Sequence, residues 1–191
     1  MRAARWIADS LTWLRAAIAV ALAGLGLFWP AAPLGLVAAL MLVDWSGDAL
    51  DGFFARRGPP DAHSWIGAHD LQVDMLVAVG LLVYLAGAGW VNVWLAGGYL
   101  LVWAGVYWGS GRSRSLGMLF QAPVYGGLIL LTLRSEPLAG GLILAWIAAM
   151  IVITWPRFPQ EVVPGFLAGL AHGRASPPPP TPHVRTGRSS R

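Results

Sequence analysis

The 191-residue chain has no cysteine and no lysine, and only 9 acidic residues. The lack of cysteine excludes disulfides, thiol catalysis and Cys-ligated zinc. Any metal would be held by carboxylate, histidine, water or backbone oxygen, and oxygen donors favour a hard cation such as Mg²⁺. With no lysine, the net charge of +4 rests on arginine alone, and the arginines fall at segment ends instead of forming one basic surface. That pattern argues against a nucleic-acid partner. Charge is scarce overall, at 12% of residues against 57% hydrophobic, with a mean hydropathy of +0.61. Such a composition does not belong to a water-soluble globule, and it predicts an all-α integral membrane protein built as one domain.

The apolar sequence divides into six segments at approximately 11–31, 33–57, 66–88, 91–109, 115–134 and 138–155. Each is about the length of a transmembrane helix. The breaks are polar or carry glycine or proline: Trp-Pro at 29–30, Arg-Arg-Gly-Pro-Pro at 56–60, Gly-Ala-Gly at 87–89, Ser-Gly-Arg-Ser-Arg-Ser at 110–115 and Ser-Glu-Pro at 135–137. With six alternating spans, every arginine but Arg134 falls on one side. The positive-inside rule then places both termini in the cytoplasm, as expected for a bacterial-type inner (cell) membrane. Arg15, just inside the first segment, is expected to snorkel to that side. Trp6, Trp13, Trp29, Trp90, Trp108 and Trp155 lie near segment ends and read as interface anchors.

At the N-terminus, Arg2 and Arg5 precede an apolar run that contains small residues, a pattern read as an uncleaved signal anchor. Residues 1–10, with Trp6 and Ile7 between charges, predict a short helix lying on the interface ahead of the first span. Residues 156–173 suggest a second interfacial segment. Residues 1–173 thus form the membrane domain, and 174–191, with four consecutive prolines, a disordered C-terminal tail. No internal repeat suggests the inverted halves of a transporter.

Aspartates interrupt the second and third segments. Asp44, Asp48 and Asp51 are spaced i, i+4, i+7 and share a helix face, as do Asp70 and Asp74 at i, i+4. Consecutive helices joined by a short loop are expected to be antiparallel neighbours, so the carboxylates would converge near one end. An unpaired Asp at the membrane centre costs about 2.5–3.5 kcal/mol, and four or five would cost roughly 10–17 kcal/mol. In these two segments only Arg56 and Arg57 offer positive charge, which makes one or two divalent cations the economical counter-charge. Gly52 and Ala55, at i+4 and i+7 from Asp48, present a flat strip beside the carboxylates.

These residues resemble the signature of the CDP-alcohol phosphatidyltransferases, Asp-x2-Asp-Gly-x2-Ala-Arg, then eight or nine residues, then Gly-x3-Asp-x3-Asp. Asp48, Asp51, Gly52, Ala55, Arg56, Asp70 and Asp74 match in type and order. The signature glycine falls on Ile66, with Gly67 one place late. Asp44, one turn deeper, reads as an auxiliary ligand or a support for the ligands. Ser10-Leu-Thr12-Trp-Leu-Arg15 is also similar to the Asn-x2-Thr-x2-Arg entry of the family's first helix.

The resemblance implies an enzyme that moves a phosphatidyl group from CDP-diacylglycerol to an alcohol acceptor and releases CMP. Asp48, Asp51, Asp70 and Asp74 would hold two Mg²⁺ or Mn²⁺ ions, with Asp74 also the general base. Gly52, Ala55 and Arg56 would serve the nucleotide, and the resemblance further implies a homodimer, for which Gly105-x3-Gly109 offers a packing site. The acceptor stays open among glycerol phosphate, inositol phosphate, serine, choline and another phospholipid. Arg112 and Arg114 suit a phosphorylated polyol, with topology anchoring as the alternative. Gln121, Pro123 and Tyr125 are candidates for the acceptor side, and His63, His69 and Asp61 flank the site. Three readings compete with this one: a divalent-cation transporter, an intramembrane prenyltransferase, and an inactive family member acting as a partner subunit.

Overall fold

The computed structural model describes residues 2–55, 69–109, 114–156, 159–160 and 163–172. Among them the regular structure is helical, with no strand: α1 (Arg2–Phe28), α2 (Leu34–Ala55), α3 (Asp70–Gly87), α4 (Val93–Gly109), α5 (Arg114–Ser135), α6 (Pro137–Thr154) and α7 (Val163–His172). Four helices are long and apolar enough to cross a membrane: α1 from Trp6, α3, α5 and α6. α4 is apolar but shorter, and α2 carries three aspartates. Large apolar side chains are exposed along α4 and α6, among them Trp94, Leu101, Leu138 and Val152. A surface of this kind is suited to lipid. All six tryptophans read as interface anchors are exposed.

The helix ends follow local chemistry. The Trp29 N–H still reaches the Leu25 carbonyl before Pro30 ends α1, and Pro33 leads into α2. α3 ends in a Schellman turn: Trp90 N–H donates to Leu85, Gly89 N–H donates to Ala86, and Gly89 takes the left-handed φ of +76°. The Asn92 side chain caps α4 by accepting from the amides of Trp94 and Leu95. Glu136 is the one residue between α5 and α6, and Pro137 opens α6 at a position that needs no amide donor.

α1 is the centre of the bundle. It packs most closely on α3 and next on α2. The expected direct pairing of α2 with α3 is replaced by an arrangement in which α1 joins them, because the closest interface in the protein belongs to α1 and α3. A Cβ at Gly80 would meet the Ala19 carbonyl, and one at Gly26 would lie 2.6 Å from the Tyr84 backbone. Small residues let the two backbones touch. Around this seam Leu22, Val37, Met41, Val77, Leu81 and Leu128 form the buried core.

One further expectation changes. α1 runs unbroken from Arg2, so no separate interfacial helix precedes it; no glycine or proline lies between Arg2 and Gly24 to interrupt it. Gly105 and Gly109 have nothing within 4 Å of a Cβ placed on them, so within the chain neither is taken up by helix packing. The tail 174–191 lies outside the described residues.

Candidate metal centre

The charged residues gather where the N-terminal half of α1, the C-terminal half of α2 and the start of α3 come together. One ligand oxygen each from Asp48, Asp70 and Asp74 lies within 4.8 Å of the others. This is three of the four carboxylates expected to converge. Asp51 instead accepts a hydrogen bond of 3.1 Å from the Thr12 hydroxyl. Asp44 is buried one turn deeper, outside the trio.

Arg15 lies in the middle. It does not snorkel toward an interface: its side chain is 3% exposed and aims inward. Its Nε lies 3.3 Å from Asp44 Oδ1, and its Nη1 lies 3.1 Å from Asp48 Oδ1 and 2.9 Å from Asp70 Oδ1. Its Nη2 pairs with Asp74 Oδ1. One planar guanidinium thus engages one oxygen from each of four carboxylates, which suits its five fixed donors. The lane for its stem is supplied by Gly47, whose missing Cβ would stand 3.5 Å from Arg15 Cγ and Cδ.

The cluster is graded in exposure. The Asp44 side chain is 2% exposed, Asp74 17%, Asp70 27% and Asp48 51%, so it opens outward from a dry floor. Arg114, exposed at the first residue of α5, brings Nη2 to 3.9 Å from Asp70 Oδ2 at the rim. On the outer side of α2, Trp45 packs edge to face with Tyr125, ring centroids 5.5 Å apart, and against Trp146. That contact holds α2 to α5 and α6 and occupies the Tyr125 ring with packing. α5 is continuous through Pro123.

Gly52 and Ala55 lie in the last two turns of α2, and His69 stands directly before α3 and outside the trio. Arg56, Arg57, Asp61, His63, Ile66, Gly67 and Arg112 fall outside the described residues. Arg15 and Thr12 are the residues that sequence reasoning undervalued. Their signal was the i, i+3 spacing on α1, which continues through Ile18 and Leu22 as one buried face. Neither α2 nor α3 contains a basic residue, and the first helix supplies the counter-charge through Arg15.

The donor set suits a hard dication, being oxygen throughout. Among the described residues, five carboxylates gather around the buried Arg15 and the rim Arg114, which leaves an excess of negative charge even with both counted. No protein-family model, no curated protein and no solved structure matches this chain.

Proposed function

We propose that the protein is a six-span membrane phosphotransferase that moves a phosphatidyl group from CDP-diacylglycerol to an alcohol and releases CMP. The observation that carries this reading is the trio Asp48, Asp70 and Asp74, three carboxylates within 4.8 Å at the open end of the bundle. In this reading α2 and α4 also cross the membrane, the acidic end faces the cytoplasm, and the signature residues lie where a soluble acceptor reaches them. Asp48, Asp70 and Asp74 would hold one Mg²⁺ or Mn²⁺. The second ion implied by the resemblance needs Asp51 to turn from Thr12 toward them. A dication held there offsets the charge of a diphosphate.

The chain's own residues do the rest. The acceptor oxygen attacks the lipid-linked phosphorus as Asp74 takes its proton, the bond from that phosphorus to the CMP oxygen breaks, and CMP leaves. A positioned base of this kind contributes about 10²–10⁴-fold. Arg114, exposed at the rim, suits the phosphate of a polyol phosphate acceptor. Gly52, Ala55 and Arg56 keep the nucleotide role that the resemblance gives them.

Two features favour lipid chemistry over ion transport. The acids sit at one end of the bundle instead of along a path through it. An apolar groove of about 330 Å³ also runs between α1 and α2, with Leu11, Leu14, Val43, Gly47 and Leu50 in its wall. Gly47 and Leu50 directly precede Asp48 and Asp51 in sequence, so a lipid tail in the groove is compatible with its head at the acids.

The test is CMP release from CDP-diacylglycerol by the purified protein with Mg²⁺ over a panel of acceptors. Release with one acceptor supports the reading and names the substrate. Metal binding without release from any acceptor favours an inactive partner subunit, and metal uptake into liposomes without a lipid product favours a transporter.

A further inference from the structure

Arg15 and a divalent cation have claims on the same oxygens. The guanidinium touches Asp48, Asp70 and Asp74, which are the same three carboxylates that lie close enough to share an ion. A dication among them would stand within a few ångströms of a buried positive charge, and at that range in a poorly screened site the two repel strongly. Without a cation, the guanidinium is the counter-charge that lets four carboxylates approach one another. With one bound, the carboxylates have a better partner and the guanidinium has lost its hold on three of its four contacts.

We infer that Arg15 is an internal counter-ion exchanged for the divalent cation: it closes the acidic site when the cation is absent and gives up Asp48, Asp70 and Asp74 when it binds. Asp44 is the anchor of this exchange. It is buried, lies outside the trio and pairs with Arg15 through Nε, not through the two terminal nitrogens, so the residue keeps one carboxylate while releasing the others. The fork geometry matters as well as the charge, since one ammonium cannot span four carboxylates. The inference rests on the reading of the trio as a cation site, and it makes that site partly neutralised from within whenever no cation is bound.

The experiment compares wild type, Arg15→Gln and Arg15→Lys in detergent, using Mn²⁺ binding by electron paramagnetic resonance and thermal unfolding with and without Mn²⁺, with Asp70→Asn as the control for the site. Arg15→Gln is expected to bind Mn²⁺ roughly tenfold more tightly, since a competing charge worth one decade of affinity has gone. Its cation-free melting temperature should fall by roughly 10 °C, because removing one partner leaves buried charges uncompensated, and saturating Mn²⁺ should recover most of that fall. Arg15→Lys, which keeps the charge and stays measurable if the glutamine variant does not fold, should lie between the two in both readouts. Equal or weaker Mn²⁺ binding in the substituted proteins would overturn the exchange while leaving the cation site standing. Binding by none of the proteins would overturn the cation site and the exchange with it.

Discussion

The same two helices, α1 and α3, meet in two ways. At Ala19, Gly26, Gly80 and Tyr84 they touch backbone to backbone, with no room for a methyl group. Near Thr12, Arg15, Asp70 and Asp74 they meet through ion pairs around a graded opening. The first contact has one solution and cannot be rearranged. The second holds more acids than bases, so it can lose or trade a partner and still be satisfied. The rigidity of the first allows the second to carry surplus charge.

The largest effect should come from the charged end, and on rate far more than on stability. Asp74→Asn removes one of five carboxylates and leaves Arg15 with Asp44, Asp48 and Asp70 as partners. CMP release should fall by about 10²–10⁴-fold while the melting temperature moves little. Turnover at the wild-type rate would remove Asp74 from the role of base.

At the seam the pattern should invert. Gly80→Ala places a methyl group against the Ala19 carbonyl. The cost should be roughly 3 kcal/mol, or about 10 °C of melting temperature, measured by thermal unfolding and size exclusion in detergent. If Gly80→Ala were as stable as wild type, the close seam would be misplaced.

Between these, Thr12→Val deletes the hydrogen bond to Asp51. About 1 kcal/mol, or roughly 3 °C, is expected, and the melting curve reads it directly. The smallest effect belongs to a glycine outside both regions. Gly98, on α4, has nothing within 4 Å of an added Cβ, so Gly98→Ala should leave the melting temperature unchanged or raise it by about 2 °C through helix propensity. The pair Gly80→Ala and Gly98→Ala is therefore the sharpest form of the contrast, one substitution with opposite outcomes.

The helices themselves were legible in the sequence because apolar runs bounded by Pro30, Gly89 and Pro137 leave the backbone few alternatives. The six expected segments correspond closely to α1 through α6. Their neighbour relations were not legible. Loop length suggested that α2 pairs with α3, but the deciding contact is between Ala19 and Gly26 of α1 and Gly80 and Tyr84 of α3, residues far apart in the chain and with no local signature.

Within the site, i, i+4 spacing showed that Asp70 and Asp74 share one helix face and that Asp44, Asp48 and Asp51 share another, while α1, packed on both helices, brings Asp48 to the other two. Spacing could not separate Asp51 from them, since that depends on Thr12 of another helix. Arg15 was misjudged for a similar reason. Nearness to a segment end suggested a surface role, while its position on the buried face with Thr12, Ile18 and Leu22 sends it inward.

The central position of α1 also bears on the order in which the protein is made. α1 is synthesised ahead of α2 and α3, so Arg15 arrives before any of the four carboxylates that satisfy it. Asp44 and Asp48 follow with the second helix, and Asp70 and Asp74 only with the third. Until residue 74 has been synthesised the charge at position 15 has only part of its shell, so α1 reaches its final arrangement only once both α2 and α3 have packed against it.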